Sequence, residues 1–138
     1  MNKISIYNKD IRGNHMRFYK CKHCGKIVAL VKDVPVPTIC CGEKMEELVP
    51  NTQDGAYEKH VPVVNVVNNI VTVRVGEVDH PMVEEHYIEW IMIQTNFGNQ
   101  RKVLKPNDKP VARFALLEGE EVIRALEYCN LHGLYSTK

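Results

Sequence analysis

Apolar and polar positions change their rhythm along this chain, and the changes divide it. Residues 1–16 are polar and charged, with no clear period, and read as an N-terminal extension, with Met16-Arg17-Phe18 a natural start for the first domain. From Phe18 to Val49 apolar residues are sparse, and Gly25, Pro35, Pro37 and Gly42 interrupt them. Such a segment buries little core, and below about 40 residues a metal or disulfides usually supply the missing stability. Pro50-Asn51-Thr52-Gln53-Asp54-Gly55 is turn-rich and reads as a linker. Beyond it the β-branched runs Val61 to Val67 and Ile70 to Val75 flank Asn68-Asn69, which predicts a tight hairpin. His86 to Thr95 alternates, with His86, Ile88, Trp90 and Met92 on one face and Tyr87, Glu89, Ile91 and Ile93 on the other. Val111 to Leu117 and Val122 to Tyr128 are two further strands, with turns at Asn96 to Asn99 and Pro106 to Asp108. The stretch Glu118 to Tyr128 also admits a short helix. Short strands separated by turn signals predict an all-β sandwich over residues 51–138, preceded by a small domain at 17–50.

Composition narrows the partners. Charged residues make up 25% of the 138 and leave a net charge of +1, which gives no basic surface for nucleic acid. No run approaches the roughly 18 apolar residues of a membrane span, and the start Met1-Asn2-Lys3-Ile4-Ser5-Ile6 lacks the core of a signal peptide. The expected location is the cytoplasm, where thiols stay reduced. Clustered cysteines there bind metal more often than they pair, and five is in any case an odd number.

Four of the five form one set. Cys21-Lys22-His23-Cys24-Gly25 is a metal knuckle: two thiolates two residues apart grip one ion while the intervening amides point at sulfur, and the glycine relieves the turn. The other half, Cys40-Cys41-Gly42, has no spacer, so it is expected to be distorted. Four thiolates accept Zn(II) or a single iron, and ligand type alone does not choose. A structural zinc ribbon and an electron-carrying iron both remain open. His23 is not needed as a ligand and reads as solvated surface.

The fifth, Cys129, stands three residues before His132. His60, His80 and His86 lie between the two cysteine regions, all at expected strand ends or loops, where the connections of a sandwich gather at one end. Each histidine alone is more often an ordinary residue. Together with Cys129 they form a candidate mixed imidazole and thiolate site for iron, copper or zinc. Four nitrogens around an ion with sulfur on one axis leave the opposite position open. Lys59 beside that opening favours a small anion, and Glu58 is a carboxylate within reach of it; the plain alternative is a solvated charge pair.

These pieces, in this order, resemble the desulfoferrodoxins, the two-iron superoxide reductases, from about Arg17 to the C-terminus. The matching motifs are Cys-x-x-Cys-Gly at 21–25, Cys-Cys-Gly at 40–42, Asp54-Gly55-Ala56, Glu58-Lys59-His60-Val61-Pro62, His80-Pro81-Met82, Ile88-Glu89-Trp90-Ile91, Leu104-Lys105-Pro106 and Tyr128-Cys129-Asn130-Leu131-His132-Gly133. The resemblance implies two irons per chain. One would be held by Cys21, Cys24, Cys40 and Cys41 in a small rubredoxin/desulforedoxin-like domain. The other, on an immunoglobulin-like β-sandwich, would be held by His60, His80, His86 and His132 with Cys129 axial. It further implies one-electron reduction of superoxide to hydrogen peroxide, with Lys59 attracting superoxide and Glu58 able to coordinate the oxidised iron. A rubredoxin-like electron donor and a homodimer complete the expectation. The alternatives are a zinc-ribbon binding module with incidental histidines and a simple electron-transfer protein that uses only the first site.

Overall fold

The computed structural model describes residues 15–52 and 55–137. Most of the expected N-terminal extension, and Gln53 and Asp54 of the expected linker and motif, lie outside the described residues.

Two lobes of strands follow one another. In the first, β1 (Phe18–Lys20) is flanked by β2 (Ile27–Ala29) and β5 (Glu46–Leu48), and β3 (Ile39–Cys40) with β4 (Glu43–Lys44) makes a separate hairpin. A single helical turn, α1 (Tyr57–His60), leads into the second lobe. There β6 (Pro62–Val67), β7 (Ile70–Val75) and β10 (Val111–Ala115) form a three-stranded sheet in the order β10-β7-β6. Facing it is a four-stranded sheet in the order β12-β11-β8-β9, built from β8 (Ile88–Thr95), β9 (Gly98–Val103), β11 (Val122–Cys129) and β12 (Gly133–Ser136). All these pairings are antiparallel, so the protein is all-β with a sandwich as its larger part.

The hairpin at Asn68-Asn69 forms as the pattern predicts, with Asn68 in the left-handed region that asparagine tolerates (φ 55°). The core between the sheets is aliphatic: Val71, Val73 and Val75 of β7 meet Ile91 and Ile93 of β8, Phe114 of β10 and Ala125 of β11. The other face of the four-stranded sheet is also covered. Phe18 of β1 packs with Trp90, Met92, Leu126, Tyr128 and Leu134, its ring 5.5 Å from that of Trp90. Strands β8 and β11 are therefore buried on both faces.

The helical option for Glu118 to Tyr128 is overturned, since Val122 to Cys129 is strand β11. It pairs with both β8 and β12, and its two faces serve two different cores, a demand that the period of a helix cannot meet. Within the sandwich two strands, β9 and β12, have no counterpart in the hydrophobic pattern, and the short strands β1 to β5 of the small lobe were not expected individually. His60 ends α1 rather than heading a strand.

The lobes are joined by polar contacts as well. Lys20 Nζ donates to the Tyr128 hydroxyl at 3.0 Å. Arg124, buried in β11, donates to Gln94 Oε1 and to the carbonyl of Met16. Asn51 bridges to the backbone of Ser136 in β12 with both its side-chain oxygen and nitrogen.

Candidate metal centres

The four clustered thiols meet at one end of the small lobe. Cys21 follows β1, and the knuckle is closed by Cys21 N donating to Lys26 O and Gly25 N donating to Cys21 O, both at 2.9 Å. Gly25 takes φ 81°, which only glycine adopts freely. On the other side Cys40 ends β3 and the turn passes through Cys41 and Gly42 at φ 52° and 72°. That left-handed Cys41, uncommon for a residue with a side chain, is how two adjacent cysteines both reach the same point. The four sulfurs lie within 4.8 Å of one another, with Cys24 Sγ 3.7 Å from Cys40 Sγ.

Their ionisation separates accordingly. The backbone amide of Cys24 holds the Cys21 thiol down at about 6, while hydrogen bonding to its neighbours raises Cys40 and pushes Cys41 up to about 12. A negative charge on Cys21 is favoured, and charges on Cys40 and Cys41 are opposed. A bound cation removes that opposition, so the donor set fits a thiolate-loving metal. His23 stays at the surface, paired with Glu43.

The second set gathers at one end of the sandwich from three connections: the end of α1 (His60), the segment between β7 and β8 (His80, His86) and the β11–β12 turn (Cys129, His132). The imidazoles form a closed square. Neighbouring ring centroids lie 4.6 Å apart for His60–His80, 4.5 Å for His80–His86, 5.1 Å for His86–His132 and 4.8 Å for His132–His60. Neighbours are nearly perpendicular, at 75–88°, while His60 and His86 face each other across the diagonal at 6.3 Å. Ligand atoms of His60, His86, Cys129 and His132 all fall within 4.8 Å of one another, and His80 joins them through its Nε2, 3.1 Å from His60 Nε2.

Proton positions follow from the outer partners. Nδ1 of His60 lies 2.8 Å from Ala56 O, and Nδ1 of His80 lies 2.6 Å from Pro81 O. A carbonyl only accepts, so each Nδ1 carries the proton and donates, and each Nε2 presents a bare lone pair inward. The His60 and His80 Nε2 atoms thus face each other at 3.1 Å without a proton between them, while among the described residues the buried Nε2 of His86 has no hydrogen-bond partner. Opposed lone pairs repel unless a cation lies among them. Three of the imidazoles are also biased toward the neutral form that ligation requires: burial lowers His60 and His86 and pulls His80 down to about 4.

Cys129 is fully buried, and burial raises its thiol, against which the backbone amides of Leu131 and His132 favour the thiolate. The amides of the turn therefore point at the sulfur. This donor set fits a transition metal with one soft and several borderline ligands.

Lys59 and Glu58 are exposed on α1. The charge of Lys59 adds to the burial that lowers both His60 and His86. Glu58 lies outside the converging set.

Sequence reasoning did not single out two supports of this site, Asn130 and Tyr135, nor which ring nitrogen His132 turns inward. Asn130 clamps the loop that carries His86: its Oδ1 accepts from Tyr87 N at 2.9 Å and its Nδ2 donates to Glu85 O at 3.0 Å. Tyr135 lies beneath the His60 ring, with centroids 4.6 Å apart. His132 turns Nδ1 inward, 3.1 Å from His60 Nε2, whereas His60 and His80 use Nε2. Only Asn130 left a signal, by standing between Cys129 and His132.

The family model for desulfoferrodoxin matches residues 52–138. The chain belongs to the desulfoferrodoxin family. A desulfoferrodoxin of Syntrophotalea carbinolica is 46% identical over 123 residues, covering 89% of this chain and 96% of the relative. One of Nitratidesulfovibrio vulgaris is 46% identical over 120 residues, covering 87% and 94%. Among solved structures, the superoxide reductase from Treponema pallidum superposes with a TM-score of 0.76 at 36% identity, over 90% of this chain and 99% of that one. The one-iron superoxide reductase from Giardia intestinalis matches with a TM-score of 0.50 at 34% identity, over 58% of this chain and 95% of that one. The desulfoferrodoxin pairing of a four-cysteine set with a set of four histidines and one cysteine is present here in full, and it is a two-iron arrangement.

Proposed function

We propose that this chain is a superoxide reductase: superoxide takes one electron and two protons at the histidine-rich site and leaves as hydrogen peroxide. The observation that carries the reading is the square of four imidazoles, in which the Nε2 atoms of His60 and His80 face each other at 3.1 Å with both outer nitrogens already donating to carbonyls, beside a buried thiol. We assign His60, His80, His86, His132 and Cys129 as the residues that would hold the second iron, and Cys21, Cys24, Cys40 and Cys41 as those that would hold the first. Bound there, an iron would supply the electron, and a thiolate ligand from Cys129 would raise its tendency to give it.

The remaining work belongs to this chain's side chains. Ala56 O and Pro81 O hold the outer imidazole protons, which fixes the ring planes and keeps the inner lone pairs available. Burial of Cys129 keeps water from its sulfur. Lys59 Nζ carries the positive charge that draws a small anion to the open side, and Glu58 is the carboxylate that covers that side once peroxide has left. The small lobe, docked through Phe18 and Lys20, adds the four-cysteine iron to a sandwich that carries the reaction. The Giardia protein, a superoxide reductase named as a one-iron enzyme, supports this division of labour.

A rubredoxin-like carrier is the electron donor we expect, and a homodimer the assembly. Near-neutral net charge supports the absence of a nucleic-acid partner, and among the described residues no helix is long and apolar enough to cross a membrane. We place the protein in the cytoplasm on its reduced-thiol chemistry, since all five cysteines are free.

The deciding experiment is stopped-flow mixing of the reduced, iron-loaded protein with superoxide, with peroxide counted and oxygen monitored. Peroxide without oxygen release is the expected outcome. A colourless protein with one zinc per chain and no reaction would leave the zinc-ribbon alternative instead. Within that assay Lys59→Ala is expected to slow the encounter by about 10-fold at low salt, with the deficit shrinking as ionic strength rises. A rate equal to that of the parent at every salt concentration removes Lys59 from the mechanism.

A further inference from the structure

We propose that Gly76 is a positioning residue, whose missing side chain lets the end of β7 cradle the backbone of Glu58, Lys59 and His60 and so fixes where Lys59 stands. The inference deepens the superoxide reductase reading and rests on the role given there to Lys59.

Gly76 is buried directly after β7. It does not take the positive φ of Gly25 or Gly42, so a left-handed backbone is not what demands glycine here. The demand comes from space. A Cβ at this position would meet Glu58 O at 2.6 Å, the Lys59 carbonyl carbon at 2.9 Å and His60 N at 3.1 Å. All three are backbone atoms of consecutive residues, and none can swing aside as a flexible side chain could. Gly98, by contrast, has open space where its Cβ would lie.

The same loop grips α1 by hydrogen bonds. Val78 N donates to Glu58 O at 2.9 Å, Gly76 N donates to Val78 O at 3.4 Å, and His80 N returns to Val75 O at 3.0 Å. Arg74 Nε donates to Gly76 O at 3.0 Å and holds the loop down from outside. A helix of a single turn has almost no stability of its own, so α1 takes its position from what it packs against. The loop from Val75 to His80 thus sets two things together: the site of His80 and the seat of Glu58-Lys59-His60.

His60 is held independently by Ala56 O and by the rings around it. Pressure from a methyl at position 76 therefore falls on Glu58 and Lys59, whose side chains are exposed and lack the ring contacts that hold His60. The expected result for Gly76→Ala is a protein that keeps both irons yet loses part of the electrostatic attraction of superoxide.

The test uses the iron-loaded full chain and two readouts. Amide exchange at Val78 reports the bond to Glu58 O without reference to activity; it is expected to speed up by about 10-fold or more in Gly76→Ala, as a weakened hydrogen bond opens more often. The superoxide rate is expected to fall toward that of Lys59→Ala, with a correspondingly flatter salt dependence. Arg74→Lys keeps the charge and moves the donor from the Gly76 carbonyl, and the same faster exchange is expected there, to a smaller extent. It carries the test should Gly76→Ala fail to fold. Parental Val78 exchange in the folded variants overturns the cradle. Faster exchange with an unchanged rate in Gly76→Ala overturns the link to Lys59, provided Lys59→Ala is itself slow. If Lys59→Ala is as fast as the parent, the role of Lys59 fails, and the proposal that Gly76 positions it for the reaction fails with it.

Discussion

Cys129→Ser is expected to abolish superoxide reduction, by more than the roughly 100-fold that loss of an outer partner of a ligand costs, and to erase the sulfur-to-iron band of the second centre. The thiol is the only sulfur among the converging ligand atoms of that set, and it is buried among the aliphatic residues between the sheets, Ile88 included. A serine hydroxyl fits the space but stays protonated near neutrality, and oxygen does not push charge onto iron as sulfur does. The turn amides of Leu131 and His132, aimed at sulfur in the parent, would have only a neutral oxygen to address. The four-cysteine centre provides an internal standard: its colour should survive, because Cys129 takes no part in it. Optical spectra and stopped-flow rates on the same sample check both statements. Retained reduction in the variant would hand the function to the four-cysteine iron alone, and with it the simple electron-transfer reading.

The second large effect is expected at Trp90. This ring packs against Phe18 of the small lobe at 5.5 Å and stacks on its cross-strand neighbour Tyr128 at 5.9 Å and 14°. Removing it with Trp90→Ala opens a cavity in the core that the lobes share, at about 3–5 kcal/mol. The loss should also separate the lobes in solution. In the parent, chemical unfolding followed by the visible band of the four-cysteine iron and by far-UV circular dichroism is expected to give one coincident transition. In Trp90→Ala the small lobe, with a sparse core of its own, is expected to detach first, at lower denaturant. A loss below about 1 kcal/mol with transitions still coincident would mean that the metal, and not the aromatic contact, holds the lobes together.

The parts of this molecule that could be read from the chain are those whose chemistry is local. The Cys-x-x-Cys knuckle and the Cys-Cys-Gly turn are each built within a few residues, and thiolates have few other uses in such a segment. The Asn68-Asn69 hairpin is equally local. The histidines were legible only as strand-end residues that could converge; the square they form depends on three connections separated by up to 72 residues. What the pattern hid was hidden for physical reasons. β8 was expected to present two distinguishable faces, but the small lobe covers the outer one, so nearly every residue of the strand is buried. β9, Gly98-Asn99-Gln100-Arg101-Lys102-Val103, is an exposed edge and carries no apolar alternation for a reader to find. α1 is one turn long, below the length at which a 3.6-residue period can be seen. Which ring nitrogen each histidine turns inward depends on carbonyls such as Ala56 O and Pro81 O, whose positions no sequence motif records.

That polar edge strand also limits how copies of this chain can meet. Among the described residues β9 has β8 on one side and no strand on the other, which leaves a row of backbone donors and acceptors open to a further strand. Arg101 and Lys102 stand exposed along it. A second molecule adding its own β9 there would bring like charges together and desolvate them, a standard protection against fibrous edge-to-edge growth. Extension of the four-stranded sheet across its β9 edge into a second molecule is thereby disfavoured.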